Sequence, residues 1–174
     1  NDTADFIITI NEVESAGIDS VDTLCNNVGN TVNLNTLLSG NSAAGTWAEI
    51  TSSGQFVVGT GVFDVSALTP GDYDFIYYVT SAAPCGNDTS EFTITVNSVP
   101  VVSNIVETCN GANTMYTVSF DLSGGTGGPY TVTENLPGGI GGSWSGTTWT
   151  SNLIPSGTAY DFDVDDVNGC GPVN

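Results

Sequence analysis

Lysine, arginine and histidine are all absent from this 174-residue chain, which carries 19 aspartate and glutamate residues and a formal net charge of −19. A nucleic-acid backbone needs cations to meet its phosphates, so nucleic acid is not an expected partner. An anionic membrane surface repels such a chain, and no apolar run is long enough for direct membrane insertion as a helix. General acid–base and nucleophilic mechanisms that recruit histidine or lysine have no candidate residue. Carboxylate pairs remain, but no two acids are marked as a buried pair with separated affinities for the proton. The expectation is a protein that is not an enzyme and needs no cofactor. The one ion the composition suits is Ca²⁺, which takes carboxylate and carbonyl oxygens. The plainer role for the charge is to keep a long, exposed object soluble.

Glycine is plentiful (22 residues), threonine, serine, valine and asparagine recur, and 39% of the residues are hydrophobic. That mixture favours strands joined by tight turns. The length suits two small β-sandwich modules, each with a modest core. The four cysteines, Cys25, Cys85, Cys109 and Cys170, have no metal-site spacing. An even count in small β modules points to disulfides and an oxidising compartment. Asn1 is not an initiator methionine and no leader is visible, so the chain reads as a mature or excised segment.

An internal repeat dominates the sequence. Asn1-Asp2-Thr3-Ala4-Asp5-Phe6-Ile7-Ile8-Thr9-Ile10-Asn11 returns 86 positions later as Asn87-Asp88-Thr89-Ser90-Glu91-Phe92-Thr93-Ile94-Thr95-Val96-Asn97, with seven of eleven residues identical. Tyr73-Asp74-Phe75 ahead of Cys85 matches Tyr160-Asp161-Phe162 ahead of Cys170, and each tyrosine follows a Leu-x-Pro turn. Cys25 and Cys85 are 60 positions apart, Cys109 and Cys170 are 61 apart. This spacing suggests one disulfide per module, Cys25–Cys85 and Cys109–Cys170, although other pairings fit the count.

The repeat has a permuted frame. After Cys85-Gly86 comes a strand over residues 88–97; after Cys170-Gly171 come only Pro172-Val173-Asn174. The domain reading is therefore residues 1–11 as an orphan last strand, 12–97 as a first immunoglobulin-like module, and 98–174 as a second module lacking its last strand. Two arrangements complete the pattern: a continuous tandem array, or copies of the chain joined head to tail, each N-terminal strand completing a neighbour's open module. The strand-exchange residues are Phe6, Ile8 and Ile10, which share one face by period-2 alternation. A lone chain is expected to be unsatisfied at both ends.

The coarse strand pattern is all-β, with strands over residues 18–24, 31–34, 45–50, 55–58, 73–80 and 91–96, then 101–107, 115–122, 130–134, 143–149 and 160–167. Residues 35–38 suit one helical turn. Residues 97–100 read as a short linker, and Gly124-Gly125-Thr126-Gly127-Gly128-Pro129 and Pro137-Gly138-Gly139 read as turns rather than phosphate loops, since no lysine follows. The cluster Asp161, Asp163, Asp165 and Asp166 starts with the alternation of a calcium loop. They also lie on a predicted strand whose Phe162 and Val164 face inward, which makes them a solvated acidic face. Trp47 fits a core. Trp144 and Trp149 are candidates for glycan stacking and, being an odd number of positions apart on one regular strand, should face opposite sides. Asn1-Asp2-Thr3 and Asn87-Asp88-Thr89 match the N-glycosylation triplet.

Asn33-Leu34-Asn35-Thr36-Leu37-Leu38, Ala44-Gly45-Thr46-Trp47, Gly61-Val62-Phe63-Asp64, Leu68-Thr69-Pro70-Gly71-Asp72-Tyr73, Tyr116-Thr117-Val118-Ser119-Phe120 and Asp165-Asp166-Val167-Asn168-Gly169-Cys170-Gly171 together resemble repeats in giant adhesin-like surface proteins of Bacteroidetes. The resemblance covers nearly the whole chain. It implies tandem immunoglobulin-like sandwiches, an extracellular or cell-surface location, export by the type IX route used by gliding-motility-associated proteins, and no catalytic site. It also implies O-glycosylation at Asp-Ser/Thr-apolar triplets, matched by Asp2-Thr3-Ala4, Asp19-Ser20-Val21 and Asp22-Thr23-Leu24. The expected function is a structural subunit or repeat segment of a filament or adhesin, partnered by copies of itself or adjacent repeats. The alternative is a module that binds glycans or calcium.

Overall fold

Period-2 alternation of apolar and polar side chains yields strands here, and Gly- and Pro-rich pieces separate them. The structure, a computed structural model, describes residues 2–125, 128–135 and 139–174. The turn readings at 124–129 and 137–139 lie partly outside the described residues, as does Asn1 of the first glycosylation triplet. The chain divides into two units. Unit 1 comprises Asn1–Thr23, Thr31–Val65 and Gly71–Thr95; unit 2 comprises Leu24–Asn30, Ser66–Pro70 and Val96–Asn174.

The strands of the first half are β1 (Ser20–Cys25), β2 (Thr31–Asn33), β3 (Thr46–Glu49), β4 (Phe56–Val57), β5 (Val62–Asp64), β6 (Gly71–Val79) and β7 (Asp88–Asn97). One sheet runs β1-β7-β6-β3 and the other β2-β5-β4. The expected helical turn is a short 3₁₀ helix, Leu34–Thr36, capped by the Asn33 side chain. Alternate residues of β6 (Tyr73, Phe75, Tyr77, Val79) and β7 (Phe92, Ile94, Val96) are buried. Trp47 is a core residue; its ring lies 4.9 Å from Tyr77 and 4.8 Å from Phe92, and its indole N–H donates to Asn35.

The second half contributes β8 (Pro100–Cys109), β9 (Met115–Gly124), β10 (Tyr130–Glu134), β11 (Gly142–Ser145), β12 (Thr148–Ser151), β13 (Ile154–Pro155) and β14 (Phe162–Asp166). One sheet runs β11-β12-β9-β13 with β8 also on β9; the other is the pair β10-β14. The register between β8 and β9 shifts between Ser103 and Val106, around Asn104, which has a positive φ. The core holds Val118, Phe120, Leu122, Trp149, Ile154, Phe162 and Val164.

Within the single chain residues 2–10 form no strand and all are exposed. Three expectations need correction. The predicted strand over 143–149 is a hairpin, β11 and β12, in which Trp144 and Trp149 are cross-strand partners. Asp166 follows the parity of Phe162 and Val164 and is buried rather than outward. Its carboxylate accepts the backbone N–H groups of Asn168 and Cys170, which satisfies it inside. The disulfide is Cys25–Cys170, with Cα atoms 5.4 Å apart; Cys85 and Cys109 are free. Neither Cys25–Cys85 nor Cys109–Cys170 forms, because the end of β1 lies against the second repeat's terminal turn.

Candidate assembly site

The two repeats differ at one strand. In unit 1, β6 has β3 on one edge and β7 on the other. Side-chain bonds tie β7 to β6: Thr93 donates to Asp74 at 2.8 Å and Thr95 to Asp72 at 2.7 Å. By the repeat, β14 corresponds to β6 and β10 to β3. β10 covers one edge of β14 in antiparallel register, from Tyr130 opposite Asp166 to Glu134 opposite Phe162. On the other edge a single residue, Val173, exchanges both backbone bonds with Val164 at 2.9 Å. Beyond that bridge the edge has no strand among the described residues.

Apolar side chains line the opening. A cavity of about 90 Å³ is walled by Val102 and Ile105 of β8, Phe120 of β9, Phe162 and Val164 of β14, and Asn174. Ile105 is 56% exposed. Beside β6 the β7 side chains Phe92, Ile94 and Val96 are buried, exposed by 1%, 0% and 1%. The repeat counterparts of those three residues are Phe6, Ile8 and Ile10, exposed by 82%, 73% and 91%.

Among the described residues the hydrogen bonds of the N-terminal segment begin at Asn11. The Asn11 side-chain amide donates to the carbonyl of Ala83 at 2.7 Å, and the Glu14 and Ala16 backbone N–H groups donate to Ser81 and Asp88 side chains. The Cys85 thiol lies 3.7 Å from the Asn11 carbonyl.

The other candidate residues separate. Asn174 donates to Asp161 and Asp163, Asn135 donates to Asp163, and Asp166 is turned into the interior. Among the described residues no three acidic or sulfur side chains converge in a way that could hold a metal ion. Trp149 is a core residue, stacked 5.1 Å from Phe120 and edge-on to Phe162 at 4.8 Å. Gly142 makes room for its indole, since a Cβ there would lie 2.3 Å from a ring carbon. Trp144 is 44% exposed and stacks on Tyr130 with centroids 6.3 Å apart. The pair lines an open groove of about 320 Å³ with Pro129 and Thr147.

No protein-family profile and no curated protein matches the sequence. Solved structures do match. The chain is similar to the N-terminal eight immunoglobulin domains of Down Syndrome Cell Adhesion Molecule (DSCAM), with a TM-score of 0.55 and 12% identity over 87% of this chain, which spans 25% of that structure. A structure of three titin immunoglobulin domains aligns over 89% of this chain and 59% of its own length, at 13% identity and a TM-score of 0.37. The fold is that of tandem immunoglobulin-like β-sandwiches.

Proposed function

We propose that the chain is a structural subunit or repeat segment of an extracellular filament or adhesin stalk, assembled head to tail by β-strand complementation. Residues 2–11 of each copy lie along the open edge of β14 in the copy before it. The observation that carries this reading is one strand sequence in two conditions: buried at Phe92, Ile94 and Val96, exposed at Phe6, Ile8 and Ile10. Strand addition satisfies the edge through backbone bonds and places alternate side chains in pockets. Burying three such side chains contributes on the order of 5–9 kcal/mol, against which stands the cost of ordering the segment. A disulfide is at home in an oxidising, extracellular compartment, and surface repeat proteins of the kind this sequence resembles share that location.

The test is mass in solution. The intact chain should form concentration-dependent polymers, seen by light scattering and negative stain. The triple variant F6D/I8D/I10D should stay monomeric with unchanged circular dichroism, since these side chains are exposed in the free chain. A peptide of residues 2–11 should cap growth. Appending the same segment after Asn174 should give a self-completed monomer with a raised Tm. A chain that stays monomeric at high concentration, with no gain from the appended segment, removes strand complementation.

A second reading rests on the Trp144–Tyr130 groove, whose stacked rings suit a sugar face. A glycan array should then give hits that Trp144→Ala abolishes; an array without hits removes it.

A further inference from the structure

We propose that consecutive copies are cross-linked by a disulfide between Cys109 of one copy and Cys85 of the next, an inference that rests on the head-to-tail reading above. Its template is the bond the chain already makes. Cys25 ends β1 of the first repeat and Cys170 follows the last strand of the second. Cys25-Asn26 matches Cys109-Asn110, and Cys170-Gly171 matches Cys85-Gly86. The two free cysteines are therefore the repeat counterparts of the two bonded ones. The rule within the chain is that the first-strand cysteine of one repeat bonds the terminal cysteine of the repeat that follows. Continued across a junction, the rule joins Cys109 to Cys85 of the incoming copy.

Local contacts agree. In unit 2 the backbone N–H of Asn26, next to Cys25, donates to the carbonyl of Asn97 at 2.9 Å. Asn97 ends β7, and its counterpart 86 residues earlier is Asn11. Docked as a last strand, residues 2–11 would therefore bring Asn11 beside Asn110 and Cys109 of the receiving copy. Asn11 already carries Cys85 with it, through its contacts to Ala83 and the Cys85 thiol. The receiving side is open: Cys109 is exposed and lines a cavity of about 550 Å³ with Glu107, Tyr116, Ala159 and Tyr160. Tyr160 also lines the cavity beside β14, so the two features are contiguous.

The chemistry is an ordinary thiol oxidation. Two S–H bonds break and one S–S bond forms. The two electrons and two protons pass to a disulfide-class oxidant, a small-molecule or protein disulfide, whose two sulfurs leave as thiols. An oxidising compartment supplies such an oxidant.

The experiment is non-reducing electrophoresis of the polymer after brief exposure to oxidised glutathione. The expected result is a ladder spaced by one chain mass that collapses on reduction. Cys85→Ser or Cys109→Ser alone should abolish the ladder while light scattering still shows polymer. Mixing the two variants should give covalent dimers and nothing longer, because each molecule then keeps only one of the two junction thiols. Mapping after cleavage at acidic residues should join the Cys85 and Cys109 peptides. Like-with-like links, or polymer with both thiols still open to alkylation, overturn the cross-link and leave the filament reading intact. Absence of polymer even with both thiols blocked overturns the filament reading itself.

Discussion

Phe92→Ala should destabilise the monomeric chain by about 3–5 kcal/mol, whereas Phe6→Ala at the matching repeat position should leave monomer stability unchanged within a few tenths of a kcal/mol. Phe92 is 1% exposed and packs edge-on against Trp47 at 4.8 Å, so truncation removes its contacts and leaves a cavity that β6 and β7 close only in part. Phe6 is 82% exposed and has no such contacts to lose. Denaturant unfolding of dilute, thiol-blocked protein measures both values. In the polymer the asymmetry should disappear. Phe6→Ala should then weaken each junction by roughly 1.5–3 kcal/mol, a ten- to hundredfold rise in the concentration needed for assembly. Equal destabilisation of the monomer by both substitutions would mean that residues 2–11 already sit in a sandwich of their own chain.

Much of the fold was legible because buried strands write their alternation into the sequence. Phe75-Ile76-Tyr77-Tyr78-Val79 and Phe92-Thr93-Ile94-Thr95-Val96 read as core strands and are core strands. The same rule marks residues 6–10 as a strand with a buried face and is silent on which molecule covers it. It merged β11 with β12 because Trp144-Ser145-Gly146-Thr147-Thr148-Trp149 hides a tight turn, and only Gly146, with its positive φ, marks the reversal. Asp161, Asp163 and Asp165 alternate with Phe162 and Val164 and so mark an outward acidic face, but Asp166 falls on the inward parity. Two backbone N–H groups of the following turn make its burial tolerable, and nothing in a linear sequence announces them. The cysteine pairing is not legible in the spacing, for a geometric reason. Equal spacings of 60 and 61 residues report that a repeat exists, and links between neighbouring repeats preserve that regularity as well as links within each repeat do.

That pairing can be decided by stability. Replacing both bonded cysteines, C25S/C170S, should lower the stability of the folded chain by about 3–5 kcal/mol, near the upper end for disulfides. The bond closes a sequence separation of 145 residues, so its removal frees a large share of the denatured chain's conformational entropy. For a chain of this size the shift in Tm should be roughly 10 °C. Cys170 is 2% exposed, and its backbone N–H is held by the Asp166 carboxylate, so the terminal turn and the Val164–Val173 bridge should loosen together. Hydrogen exchange at Val164 and Val173 reads that loosening directly. Cys85→Ser and Cys109→Ser should leave the Tm of dilute monomer where it was, because neither thiol is bonded within the chain. Had the bonds instead joined Cys25 to Cys85 and Cys109 to Cys170, every single cysteine variant would destabilise the monomer. The link between the repeats predicts a different pattern: two cysteines that matter to one molecule, and two that matter only to the junction between molecules.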